Sequence, residues 1–151
     1  MPELVIADTT CFIVLSKINE LHILNKLYSQ ITTTPEVINE FGDDLPGWVI
    51  IKSPSDKQKQ LILEQQVDKG EASAIALALE LPESLIILDD LEARTLAKHL
   101  GISVTGTIGV LSKAKLKGIV PSIKPLLEKI KQTNFRISPA IEAAALKEAG
   151  E

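Results

Sequence analysis

A chain of 151 residues with 45% hydrophobic side chains is long enough to bury a full core, and its net charge of −4 argues against a general nucleic-acid coat protein. A single cysteine, Cys11, and two histidines, His22 and His99, exclude a disulfide framework and a Cys/His zinc site. The opening MPELVIADTT has no basic leader and no run reaches the roughly eighteen apolar residues that span a bilayer, so a cytoplasmic protein with no membrane partner is expected.

The first apolar run, LVIA at 4–7, reads as a strand. Residues 20–28 set Leu21, Ile23, Leu24 and Leu27 at helical spacing, QITTT (30–34) reads as a second strand, and Thr34 before Pro35 is a favourable start for a helix over 35–41. WVIIK (48–52) is a third strand, 55–68 an amphipathic helix, and EASAIALALEL (71–81) is apolar nearly all round, as a buried helix must be. SLIIL (84–88) and ISVTG (102–106) are strands on either side of an amphipathic helix over 91–100. Three more helices follow: 106–118 ended by Gly118, Pro121 to about Lys131, and one capped by Ser138 with Pro139 at its first position and Gly150 as its stop.

Strands that are continuously apolar, alternating with helices, predict an α/β fold with a mostly parallel sheet covered on both faces. No repeat or low-complexity linker interrupts residues 1–151, which read as one domain with 132–151 as a C-terminal helical extension.

Charge is divided along the chain. Residues 1–90 carry 15 acids against 6 bases, and 91–151 carry 10 bases against 5 acids. Seven of those bases lie between Lys113 and Arg136, with Glu128 the one acid among them. Such a chain can hold a cation at one place and a polyanion beside it, although lysines on solvated helix faces give the same count.

Open parallel sheets bind ligands beyond the carboxyl ends of their strands. LVIA ends in Asp8, and SLIIL runs straight into Asp89 and Asp90. Glu40 near the end of PEVINEF and Glu71 after Gly70 are two further acids at helix positions. Taken singly, each has a local reason: a macrodipole for Glu71, solvent for Glu40, turn preference for the aspartates. Taken together, carboxylates a few ångströms apart repel by roughly 4 kcal/mol per pair at an effective dielectric near 20, and they must either bind protons or hold a cation. Without clustered soft ligands, Mg²⁺ or Mn²⁺ fits better than zinc. Thr10 follows Asp8 where a D-x-D phosphatase would carry its second aspartate, and GTIGVLSK lacks P-loop spacing.

The stretches VIADTTCFIVLSKI, TTPEVINEF, KGEASAIALALEL and LIILDDLEARTLAKHLGISVTGT resemble, in order, the motifs of the PIN-domain ribonucleases, the group that includes VapC-like toxins. The resemblance implies a three-layer α/β/α PIN-like fold and a ribonuclease dependent on Mg²⁺ or Mn²⁺. It matches Asp8, Glu40, Glu71 and Asp90 to the family's acids, with Asp89 as the alternative to Asp90, and Thr10 to its hydroxyl position. Leu88 departs from the pattern, since many PIN proteins carry a hydroxyl there. The resemblance also implies an RNA substrate, an antitoxin partner and a homodimer. Lys113, Lys117, Lys124, Lys131 and Arg136 would hold RNA phosphates, and Arg94 would reach substrate or pair with an acid. The alternative is a catalytically silent binding module with an acidic pocket for a protein partner. His22 and His99 read as surface or half-buried side chains rather than general bases, and Cys11 and Trp48 as packing.

Overall fold

The computed structural model describes residues 4–151, so the first three residues of the opening stretch lie outside it. Among the described residues, each expected strand forms over three of its positions, the last three of LVIA and the central three of the others: β1 (Val5–Ala7), β2 (Ile31–Thr33), β3 (Val49–Ile51), β4 (Leu85–Ile87) and β5 (Ser103–Thr105). They make one sheet in the order β3-β2-β1-β4-β5, and every neighbouring pair is parallel.

Alternation along the strands sends Val5, Ala7 and Ile87 into one core and Ile6, Ile86 and Leu88 into the other. The first core is completed by helices α1 (Thr9–Lys17), α2 (His22–Tyr28), α7 (Thr107–Leu116), α8 (Lys124–Lys131) and α9 (Pro139–Glu148). The second is completed by α4 (Lys57–Leu63), α5 (Lys69–Glu80) and α6 (Leu91–His99). Helix α3 (Pro35–Phe41) packs against α1 and α5. The result is the three-layer α/β/α arrangement that the sequence implies. No helix among the described residues is long and apolar enough to cross a membrane.

The expected helix starts and stops hold where a side chain defines them. The Thr34 hydroxyl accepts from the Val37 amide at 3.2 Å, and Ser138 accepts from Ile141 at 3.1 Å. Gly118 and Gly150 take φ of 76° and 78°, a conformation that favours glycine and ends α7 and α9.

Three helices differ from expectation. Helix α1 is absent from the sequence reading because TTCFIVLSK is β-branched and apolar on nearly every side; it folds as a helix because Cys11, Phe12, Val14 and Leu15 are all buried. Helix α4 stops at Leu63, and the segment beyond it turns to present Asp68 as the cap of α5. Helix α8 starts at Lys124, with Pro125 in its first turn, because Pro121 belongs to a bend that carries Val120 and Ile123 into the core.

The strand order makes β1 and β4 central neighbours from which the chain runs outward in opposite directions, so the switch point lies beyond their carboxyl ends. Register there is fixed by Val5 opposite Leu85 and Ala7 opposite Ile87. The Asp8 amide extends this ladder by donating to the Ile87 carbonyl at 3.1 Å. Asp8 therefore leaves the sheet beside the start of the Leu88-Asp89-Asp90 run.

Candidate active site

Asp8 occupies the cap position of α1, yet its side chain accepts no capping hydrogen bond. It is only 4% exposed, and its Oδ1 has no hydrogen-bond partner among the described residues. A buried carboxylate oxygen without a donor is costly. Burial pushes the Asp8 pKa up to about 8; the Thr9 backbone opposes this, and the charges of Glu71, Asp68 and Glu40 add to it.

Glu71 is brought beside Asp8 by the start of α5. Its Oε1 accepts from the Asp68 amide at 3.1 Å while Asp68 Oδ1 accepts from the Glu71 amide at 2.8 Å, a reciprocal capping box. Burial again is the largest cause that raises its pKa, to about 7, and the neighbouring charges of Asp68, Asp90 and Glu40 reinforce it. Glu71 thus serves both the helix start and the acidic cluster.

Glu40 reaches the same place from α3. A Cβ added at Gly70 would lie 3.0 Å from Glu40 Oε2, 3.5 Å from Thr9 Oγ1 and 3.6 Å from Asp68 Oδ1. Gly70 is the gap that lets these oxygens approach the helix start. A shelf of buried hydroxyls fixes the surrounding backbone: Thr33 donates to the Ala7 carbonyl at 2.8 Å, Thr34 and Ser73 share a 2.7 Å bond, and Ser73 donates to the Gly70 carbonyl.

The two adjacent aspartates separate in role. Both oxygens of Asp89 are taken by α7, which donates from the Thr107 amide at 2.9 Å and from its hydroxyl at 2.6 Å. Burial raises the Asp89 pKa, while the Thr107 bonds and the Arg94 charge lower it. Arg94 donates to the Leu88 carbonyl at 2.9 Å, and a Cβ at Gly106 would lie within 2.9 Å of both Arg94 and Asp89, so a larger residue there would push these two side chains out of place. Asp90 caps α6 through the Ala93 amide at 3.0 Å; it is exposed, and its charge acts on Glu71.

The charges of Glu71, Glu40 and Asp68 act on Asp8, and those of Asp90 and Glu40 act on Glu71, while Asp89 turns toward α7. Thr10 is half-buried, whereas Thr9 is buried with a hydroxyl that has no hydrogen-bond partner among the described residues and lies beside Gly70. Two residues are missing from the sequence reading: Thr9 and Asp68. Asp68 is signalled by D-K-G-E, an N-cap with an acid three positions on, but it sits where an amphipathic helix is expected to end. Leu88 is fully buried in the second core, so its side chain packs there rather than facing the acids.

The expected bases are less unified. Lys113, Lys117 and Arg136 line one groove with Arg94. Lys131 is held by Glu128 at 3.2 Å and Glu142 at 2.6 Å, and Lys124 begins α8 with its amide turned to Glu151. Cys11 is buried, and burial pushes its thiol pKa well above the ordinary range, so it packs as a small apolar residue. His22 sits 3.2 Å from Glu20 at the surface, and His99 is exposed.

Among the described residues, no three His, Cys, Asp or Glu side chains are already drawn together as a metal cage. The donor set nevertheless fits a hard divalent ion: all ligands would be oxygen, Asp8 Oδ1 has no hydrogen-bond partner among the described residues, and burial raises the pKa of Asp8 and Glu71, which a bound cation would offset.

The model of a family described as a PIN domain matches residues 4–151. No curated protein matches the chain.

Proposed function

The chain belongs to the PIN-domain family, a nuclease-like group of hydrolases that act on RNA, and from that premise we propose that it is an endoribonuclease dependent on Mg²⁺ or Mn²⁺. The observation that carries this reading is the orphaned, buried carboxylate of Asp8 at the switch point, facing Glu71, Glu40 and Asp68.

Asp8 and Asp90 would hold the ion, with Glu71 and Glu40 completing its oxygen ligands directly or through water. Bound there, the ion supplies an acidified water and the positive charge that offsets negative charge developing on a phosphodiester. Asp8 is positioned for this by the β1–β4 ladder, Asp90 by its capping bond to α6, and Glu71 by the capping box. Asp89 acts as a positioning residue, since it ties the turn that carries Asp90 to the start of α7. Lys113, Lys117 and Arg136 would hold RNA phosphates beside the acids.

A silent binding module is separated from this reading by Mn²⁺ titration. The nuclease is expected to gain thermal stability as Mn²⁺ rises, by about 2.7 kcal/mol when the ion reaches a hundred times its Kd. A melting temperature that does not move with Mn²⁺ would remove the metal site. Cleavage of single-stranded RNA at limiting substrate is also expected to fall roughly twentyfold between 50 and 200 mM salt, because about three phosphate contacts to a single strand release about two counterions. Salt-insensitive cleavage would remove the phosphate role of the three bases.

A further inference from the structure

A groove of about 1050 Å³ is walled by α7 and α9, by α6 and the end of β5, and by residues 135–137. Its floor is aliphatic: Val104, Ile108, Leu116, Ile137 and Ile141, with Phe135 the one aromatic ring. Leu116 and Ile141 are 61% and 53% exposed, and Leu91 stands at the mouth, 77% exposed. Large apolar side chains this open on neighbouring elements mark an interaction surface.

The rim is cationic. Arg94, Lys98, Lys113, Lys117 and Arg136 surround the floor, against Glu148 and an Asp89 already satisfied by Thr107. Among the described residues, Lys98, Lys113, Lys117 and Arg136 have no carboxylate within ion-pairing distance; Lys113 lies 5.2 Å over the Tyr28 ring.

We infer that this groove is a docking surface for an amphipathic helix of a partner protein whose apolar stripe is flanked by acidic residues. From Ile108 to Lys117 the α7 wall runs about 14 Å at 1.5 Å per residue, and a helix about 10 Å across and of that length sweeps roughly 1,100 Å³. The apolar floor suits leucine or isoleucine anchors at helical spacing, and the unpaired rim suits glutamate or aspartate beside them. RNA fits the floor poorly. Single-stranded bases stack on aromatic rings or arginine planes, and one phenylalanine among aliphatic side chains is no such platform.

The groove begins at Asp89 and Leu91, next to Asp90, and it shares Lys113, Lys117 and Arg136 with the phosphate strip. Resting on the ribonuclease reading above, the helix and the RNA would therefore compete.

The test uses the full chain and two fluorescent synthetic peptides of about 18 residues, both with leucines at i, i+3, i+4 and i+7 spacing, one flanked by glutamates and the other by lysines. The glutamate peptide is expected to bind at least about tenfold more tightly, and Leu116→Ser with Ile141→Ser to weaken it about tenfold while changing affinity for a single-stranded RNA by less than about twofold. Equal binding of the two peptides overturns the proposal. A parallel loss of RNA affinity in the double variant places RNA in the groove instead. Light scattering that shows a dimer dissociated by the double variant places a second copy there. Asp8→Asn separates this inference from the nuclease: the variant is expected to bind the glutamate peptide as the wild type does, and a wild-type chain that binds the peptide and never cleaves RNA overturns only the catalytic reading.

Discussion

Asp8→Asn is expected to lower divalent-dependent RNA cleavage on the order of 10³-fold and, without added metal, to raise the stability of the protein at pH 8. The first effect follows from removing a carboxylate that is buried at the switch point and has an oxygen without a hydrogen-bond partner among the described residues. The second follows from linkage. Asp8 has a folded pKa near 8 against an ordinary 3.8, so between those values the folded chain keeps a proton that the unfolded chain has lost. Stability from this group is fully present below pH 4 and is lost as pH rises toward 8, with a slope of at most about 1.4 kcal/mol per pH unit. Glu71, with its pKa raised to about 7, adds a smaller loss over the window from its usual 4.5. Asparagine carries no charge to bury, so the variant should lose most of this slope. Mn²⁺ should act in the opposite direction in the wild type, since it displaces the same protons; its affinity, and cleavage with it, should climb from pH 6 to pH 8. Denaturant midpoints against pH, with and without Mn²⁺, measure both. A variant that is inactive and also less stable at pH 8 would make Asp8 a folding residue rather than a ligand.

The adjacent aspartates should respond in opposite ways. Asp89→Ala strands the amide and hydroxyl of Thr107 at the start of α7 and leaves Arg94 without its neighbouring charge, a loss of about 2–4 kcal/mol in denaturant unfolding. Asp90→Asn keeps a good cap for α6 and should change stability by less than about 0.5 kcal/mol. Its charge is what matters to the cluster, so cleavage should fall about a hundredfold and Mn²⁺ should bind more weakly. The reverse pattern, with Asp90 structural and Asp89 needed only for cleavage, would exchange their roles.

The strands were legible because a three-layer sheet buries both faces, which leaves runs such as LIIL with no polar residue to confuse their length. Helix α1 was not, because burial on nearly every side removes the periodicity by which helices are found, and Asp8 gives it no capping bond to announce it. Asp8, Glu40, Glu71 and Asp90 are picked out by their places at strand and helix ends, and the charges of Glu71 and Glu40 act on Asp8 while that of Asp90 acts on Glu71. Asp68 was hidden by being adjacent to a helix pattern that continues past the true end of α4. The choice between Asp89 and Asp90 depends on Thr107, eighteen residues further on, and no local pattern encodes such a contact. Lys131 likewise looked free until α9 brought Glu142 against it.

The pairing of β1 with β4 joins positions eighty residues apart, Val5 with Leu85. During synthesis, the first strand therefore emerges with nothing on that side to pair with, and Asp8 stays in water as an ordinary carboxylate. The pocket that raises its pKa closes only after Asp90 and α6 have left the ribosome, because contacts of such long sequence separation form late. On the proposed nuclease reading, a truncated product ending before β4 is inactive, because it lacks Asp90 and the ladder partner that fixes where Asp8 leaves the sheet.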